Sequence, residues 1–585
     1  MLSLALTALL AVRSVPLSQG WLFQPDPLAK GDAQEWWTPG FDRSGWRPVA
    51  VPSAWDFYDP VMDGYEGVGW YALRLSPQQM RPGSWQRLLF GRVHHKATVW
   101  IDGHRAGENL TGYLPFEVPI TPHVSPGKPA WVVVRVDNEV RYDRLPGTTT
   151  VEWVQYGGLL QPVELVTTSR TYLAHAAIRA APLGDGATVA VEVEVAGTVE
   201  TPFTGRVRVE VEKTAAEAEV RVDPGATVRV PLALRLPHAR RWSPDSPALY
   251  EAKLELLDAR GTVDAFREPF GVRTVEARGR QILLNGAPLH IRGVNRYDEF
   301  PGRGPVADAA SIRGDLAAVK GMGANLIRVH YPQSPLTLRL ADEMGLILME
   351  EVPLNWWRAP WHRPVPPEFD NDAIVGLAES ALEQLIRRDG NHPSVLIWSM
   401  ANECETSDAR GTAAMERLLR RARALDPTRL ITYVANRKLE ENRAFALADL
   451  VAFNLYYGMW DGDVAEDLSQ VEARVHAPTR ARLEALARSY PDKPLLLTEF
   501  GTIGVPGSKG DLRFSETYQA AYLDAVWQAV QEVPAVSGAI VWSWADYRHR
   551  KGFENDFPAF FGPFGVVTLD RRPKAAYAAL HARWH

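Results

Sequence analysis

The chain has 585 residues, 46% of them hydrophobic and 23% charged, with a net charge of -6 and no long basic run. Those numbers describe a soluble multidomain protein and exclude a nucleic-acid or anionic-membrane partner driven by charge. One cysteine, Cys404, excludes an intrachain disulfide, and no Cys/His cluster has zinc spacing. Twenty tryptophans are a positive clue, because flat aromatic faces stack on sugar C–H faces; the alternative is that they fill cores.

Residues 1–14 contain the apolar run MLSLALTALLAV, of signal-peptide length but with no basic n-region and no A-x-A site. Two readings follow: a cleaved signal, making the protein secreted or periplasmic, or an N-terminal extension of a cytoplasmic protein. No later apolar run is long enough to span a bilayer.

Residues 15–170 read as a β-sandwich. RLLFGRV, ATVWIDG and AWVVVRVDN are β-branched and aromatic runs, punctuated by Gly, Pro and Asp. The Asp102-Gly103 pair carries a hairpin signal. Residues 171–275 change to strict alternation, as in VAVEVEV from Val189 and RVRVEV from Arg206, which fits half-buried strands. A second sandwich of seven short strands fits that length.

From residue 276 to 585 strands alternate with helices. The expected strands are HIRGVN (290–295), NLIRVH (325–330), LILMEE (346–351), VLIWSM (395–400), LITYVAN (430–436), LVAFN (450–454), LLLTEF (495–500) and AIVWSW (539–544). Between them apolar residues recur at helical spacing, as at Ile374, Leu377, Ala378, Ala381 and Leu385. Eight such repeats predict a (β/α)8 TIM barrel, whose C-terminal strand ends carry the chemistry. Polar residues cluster there: His330 after the second strand, Glu350 and Glu351 on the third, Asn402 and Glu403 on the fourth, Asn454 to Tyr456 on the sixth, Glu499 on the seventh, and Trp542 to Asp546 on the eighth.

These residues resemble glycoside hydrolase family 2, the family of β-galactosidases, β-glucuronidases and β-mannosidases. FDRSGW (41–46), WYALRL (70–75), VWIDG (99–103), GYLPFE (112–117) and VRVDN (134–138) resemble its sugar-binding jelly roll. RWSPDSPALYE (241–251) and FGVR (270–273) resemble its immunoglobulin-like domain. ILLNGAPLHIRGVNR (282–296), IRVHYP (327–332), IWSMANE (397–403) and LLLTEFG (495–501) resemble its barrel. The resemblance implies a retaining exo-β-glycosidase working by double displacement, with Glu403 as acid/base and Glu499 as nucleophile. That chemistry needs two carboxyl groups about 5–5.5 Å apart, and the fourth and seventh strand ends face each other across a barrel mouth.

The resemblance further implies that Asn402 bonds the sugar 2-hydroxyl, that Tyr456 holds the nucleophile (with Tyr457 as the competing choice), and that His330 and Trp542 floor the sugar subsite. Strand alternation puts Arg328 on the same side as His330, as a substrate contact or a salt-bridge partner. Glu152 falls where related enzymes carry an aspartate that reaches the site. Cys404 reads as a space filler behind the acid.

For the sugar, family glucuronidases read the carboxylate with an Asn-x-Lys motif before a G-x-x-T-x-D-x-x-P-K stretch. Here GVVTLDRRPK (565–574) follows Gly562, Pro563 and Phe564. The expectation is therefore a neutral sugar, galactose first, with β-glucuronidase or β-mannosidase as alternatives. RHRK (548–551) offers a cation by another route. A non-catalytic carbohydrate-binding protein is the reading from another class. No cofactor is required; related β-galactosidases use Mg²⁺ and Na⁺, but no ligands are assignable here. The expected partner is a glycoside or oligosaccharide, and a homo-oligomer is compatible with the sequence.

Overall fold

The structure is a computed structural model that describes residues 14–125, 127–198, 200–361, 364–551, 553 and 561–585. The proposed export signal lies outside these residues. Among the described residues no helix is long and apolar enough to cross a membrane. The chain forms two compact units.

The first unit runs through Glu139 and includes Tyr156–Arg241 and Ala248–Val272. It is built of antiparallel sheets. A four-stranded sheet and a six-stranded sheet enclose the core around Trp21, Phe23, Trp55, Tyr71 and Phe90. Further along the chain, a three-stranded and a four-stranded sheet enclose a second core of valines and leucines. These are the jelly roll and the immunoglobulin-like sandwich. The strands of the second sandwich are not short: Thr171–Leu183 has 13 residues. Alternation explains its stability, since Thr227–Leu236 buries every second side chain and leaves the rest in water.

The second unit is Val140–Gln155, Trp242–Pro247 and Arg273–His585. Eight parallel strands close into a barrel. They are β1 (Ile291–Asn295), β2 (Leu326–Arg328), β3 (Ile347–Glu351), β4 (Val395–Asn402), β5 (Leu430–Ala435), β6 (Val451–Asn454), β7 (Leu495–Phe500) and β8 (Val536–Val541). β4 is buried at all eight positions, as expected of a parallel strand covered on both faces. All eight expected strands form. The last is displaced: β8 starts at Val536 rather than 539 and ends at Val541, its final partner on β7 being Phe500. Trp542 to Asp546 therefore lie on the loop beyond it.

Helices α1 (Ala309–Gly321), α2 (Pro335–Met344), α3 (Ala373–Asp389), α4 (Ala409–Leu425), α5 (Ala477–Ser489), α6 (Glu516–Gln531) and α7 (Ala575–Trp584) accompany the strands. Side-chain caps fix several of their starts: Asp308 accepts from Ser311 N–H, Ser334 from Thr337, Asp408 from Gly411 and Ser515 from Tyr518.

Candidate active site

The C-terminal strand ends deliver a connected set of polar side chains. Arg328, the last residue of β2, has no exposed surface. Its Nη1 donates to Glu499 Oε1 at 2.7 Å and to Asn295 Oδ1 at 3.0 Å. Its Nη2 donates to Glu351 Oε2 at 2.9 Å and to Asn402 Oδ1 at 2.8 Å. Arg328 forms ion pairs with both carboxylates, Glu499 and Glu351. Its charge also outweighs burial at Glu351. Burial pushes that carboxyl up, but Arg328 and His330 together hold it below its ordinary value.

Glu499, near the end of β7, is 5% exposed. Tyr456 donates its hydroxyl to Glu499 Oε2 at 2.7 Å, so Tyr456 rather than Tyr457 reaches it. His330 Nε2 lies 3.5 Å from Oε1 of the same carboxylate, and its Nδ1 lies 2.9 Å from Glu351 Oε1. Glu499 thus has its Oε1 beside a cation and its Oε2 on a phenol, an arrangement that fixes the carboxylate in direction.

Glu403 follows β4 directly. Its φ is +49°, in the left-handed region that costs a non-glycine residue about 1–2 kcal/mol. Asn454 Nδ2 donates to Oε1 at 2.7 Å and Trp356 Nε1 donates to Oε2 at 2.9 Å. Neither partner is charged. Burial, with the Glu499 charge adding to it, pushes the Glu403 carboxyl up to about 7. Two buried carboxyl groups on one barrel rim thus have different partners, one a cation and a phenol, the other two neutral N–H donors.

Asn402 joins them. Its Oδ1 accepts from Arg328 and, at 3.2 Å, from Asn454, and its Nδ2 donates to Asn355 Oδ1 at 2.7 Å. Glu350 and Glu351 separate, because neighbouring strand residues face opposite ways. Glu351 joins the site; Glu350 is pushed well up by burial and by the Asp389 carboxylate beside it, at the end of α3. It is not part of the site.

An aromatic group lies on the other side. Trp542, His330, Tyr297 and Tyr547 pack with ring centroids 4.8–5.9 Å apart. Trp542 Nε1 donates to Tyr547 Oη at 3.0 Å, and Tyr547 donates to Glu152. His549 Nε2 is 3.4 Å from Glu152 Oε1. Glu152 therefore belongs with the aromatic group, carried by the 140–155 segment of the barrel unit. Phe564 extends the band: it stacks on Tyr547 at 6.4 Å and meets Trp460 at 6.2 Å.

All eight residues singled out by sequence fall in this one region. Sequence reasoning missed Trp356 and Asn355, on the loop after β3, Tyr547, in a two-residue strand paired with Phe561–Gly562, and Asn295, which the strand-end rule would have found. Cys404 is buried, with Sγ 3.4 Å from Asn402 O; burial pushes its thiol well above its ordinary value. Among the described residues, no group of three or more His, Cys, Asp or Glu side chains is placed to hold a metal ion.

Residues 275–585 match the family model "Glycosyl hydrolases family 2, TIM barrel domain", residues 171–273 match "Glycosyl hydrolases family 2", and residues 16–168 match its sugar binding domain. A β-glucuronidase of Paenibacillus borealis is 29% identical, over 97% of this chain and 96% of its own. A β-glucuronidase of Felis catus is 27% identical, over 96% and 89%. Among solved structures, a β-galacturonidase from Eisenbergiella tayi bound to galacturonate superposes with TM-score 0.84 at 25% identity, covering 98% of this chain and 97% of that one. A Ruminococcus gnavus β-glucuronidase gives TM-score 0.86 at 26% identity over the same shares.

Proposed function

The chain belongs to glycosyl hydrolase family 2, and from that premise we propose that it is a retaining exo-β-glycosidase releasing a terminal β-linked uronic acid. The observation that carries the mechanism is the asymmetry of the two carboxyl groups: Glu499 beside Arg328, Glu403 without a cation. A carboxylate oriented by a cation and a phenol suits attack on the anomeric carbon, and a carboxyl with a raised pKa suits proton donation.

In the first step Glu499 forms a bond to the anomeric carbon while the glycosidic C–O bond breaks and Glu403 passes its proton to the departing oxygen. In the second, Glu403 takes a proton from water, the water oxygen bonds to the anomeric carbon, and Glu499 leaves as carboxylate. Asn402 faces the sugar 2-hydroxyl, and the Trp542, His330 and Glu152 group forms the floor and the wall.

The uronide part rests on the relatives, which are glucuronidases and a galacturonidase. They favour this alternative over the galactose-first expectation. A cation for the substrate carboxylate would come from the 548–551 loop. His549 is buried beside Glu152, and Arg550 donates its backbone N–H to Glu152 O at 2.8 Å. A neutral sugar is the second reading, favoured by one observation: Phe564 puts a ring, stacked on Tyr547, where the family's carboxylate-reading lysine is expected. An unpaired buried carboxylate is costly, about 1–3 kcal/mol or more.

Nitrophenyl β-glucuronide, β-galacturonide, β-galactoside, β-mannoside and β-glucoside assayed side by side test both. Uronide preference supports the proposal; galactoside preference overturns its uronide part. A Glu499→Ala enzyme that is inactive, and that azide rescues with inversion at the anomeric carbon, supports the retaining mechanism. Undiminished activity in that variant overturns it.

A further inference from the structure

Glu403 is gripped from two directions, by Asn454 from the end of β6 and by Trp356 from the loop after β3. That loop is tied to β4 and the segment after it by backbone. Asn355 pairs with Asn402 as an isolated bridge, Trp356 N–H donates to Asn402 O at 3.0 Å, and Glu405 N–H donates to Trp357 O at 3.0 Å. Trp356 holds φ at +56°, a left-handed conformation that costs a bulky residue on the order of 1–2 kcal/mol. Phe553 backs its indole, with rings nearly parallel at 13° and centroids 6.3 Å apart. A strained residue, backed by a second ring and tied to the strand that bears Asn402, keeps its one polar atom 2.9 Å from a carboxyl oxygen.

We infer that Trp356 is a positioning residue for proton transfer, its indole N–H orienting the Glu403 carboxyl and stabilising the negative charge that develops there as the proton leaves. This rests on the reading of Glu403 as acid/base. In the first step the Glu403 O–H bond breaks, an O–H bond forms on the leaving group, and Glu403 becomes a carboxylate. A hydrogen bond to a charged acceptor is about twice as strong as one to a neutral acceptor. The Trp356 contact is therefore worth more as charge develops than in the resting enzyme, which is the condition for lowering the barrier. Asn454 supplies the matching donor on the other oxygen, and charged or titratable groups interacting with Glu403 include Glu499, Arg328, Tyr456 and the Cys404 thiol.

The inference separates substrates by leaving group. A dinitrophenolate departs without help, whereas a phenolate needs its proton. Trp356→Phe is expected to keep the rate on the dinitrophenyl glycoside within about threefold and to lose roughly 10- to 100-fold on the phenyl glycoside, part of the 10²–10⁴ that general acid catalysis supplies. Its alkaline limb in kcat/KM should move to higher pH, because a donor that favours the carboxylate is gone. Trp356→His, which restores a ring N–H, should recover part of the phenyl glycoside rate. Equal loss on both substrates, or no loss on either, in Trp356→Phe overturns the inference. If the Phe variant does not fold, Trp356→His decides alone: a leaving-group dependence between wild type and Glu403→Ala supports the inference, and one identical to Glu403→Ala overturns it. Glu403→Ala also separates the two ideas. Full activity of that variant on the phenyl glycoside sinks the acid/base reading itself. Selective loss on the phenyl glycoside there, with a uniform loss in Trp356→Phe, sinks the tryptophan role only.

Discussion

Arg328 ties Glu499 to Glu351 through one guanidinium, with Nη1 on Glu499 Oε1 at 2.7 Å and Nη2 on Glu351 Oε2 at 2.9 Å. The three side chains are almost wholly buried. Deleting the cation leaves two carboxylates facing each other without water, and breaking a buried ion pair in this way costs about 3–5 kcal/mol. Arg328→Met is therefore expected to lose about that much stability in urea denaturation and to lower kcat by at least about 10²-fold. Arg328→Lys keeps the charge but cannot span Glu351, Asn402, Asn295 and Glu499 with one planar fork. It should regain part of the stability and little of the activity. A lysine variant with wild-type kcat would show that charge alone suffices.

Tyr456 donates to the other oxygen of Glu499. Burial pushes its phenol well above the ordinary tyrosine value, so it stays a donor throughout the working range. A hydrogen bond to a charged group contributes about 1.5–3 kcal/mol. In the second chemical step Glu499 leaves as a carboxylate and gains most from that bond. Tyr456→Phe should thus slow release of the sugar by about 10- to 100-fold and let the glycosyl-enzyme accumulate. Intact-mass spectrometry of the quenched dinitrophenyl glycoside reaction reads this directly. Equal slowing of both steps, with no trapped intermediate, would count against it.

Cys404 lies next to the acid but takes no part in the reaction proposed here. Its thiol is buried, its Sγ points at the Asn402 and Leu354 carbonyls, and burial suppresses its ionisation. The thiolate is the reactive form. Iodoacetamide at neutral pH should leave activity intact until the protein is unfolded, and Cys404→Ala should keep kcat within about threefold at a stability cost of about 1 kcal/mol. Rapid inactivation of the folded enzyme by the reagent would assign the thiol a role at the site.

Why some of these residues were legible and others were not has a physical reason. A parallel barrel strand is buried on both faces, so a polar side chain at its C-terminal end stands out against an apolar run, as Asn402, Glu403 and Glu499 do. Alternation then assigns Arg328 to the inside. The same rule sends the neighbouring Glu350 and Glu351 to opposite faces, and the structure puts Glu351 on Arg328 and Glu350 beside Asp389. Trp356 sits on a loop and Tyr547 in a strand of two residues, both too short or irregular for periodicity to mark them. Glu152 was legible only through family resemblance, because its segment precedes the barrel by more than a hundred residues and still belongs to the barrel unit.

The raised pKa of Glu403 has a consequence for stability as well as rate. Its carboxyl is pushed up to about 7 in the folded protein, first by burial and then by Glu499, from an ordinary value of 4.5. The first step needs the protonated form, so kcat/KM should fall as pH rises through about 7, and Glu403→Gln should remove that limb together with the activity on phenyl glycosides. The sign for folding follows from linkage. A carboxyl that binds its proton more tightly when folded gives a contribution fully present below about 4.5, and lost as pH rises through about 7. Above that the folded state carries a buried charge beside Glu499. Glu403→Gln keeps the shape without the charge. It should therefore be more stable than wild type at pH 8, by about 1 kcal/mol or more, with little difference at pH 4. Thermal denaturation of both proteins across that range measures it. A stability gain of equal size at both ends would mean that the glutamine relieves something other than charge, with the +49° backbone at this residue as the first place to look.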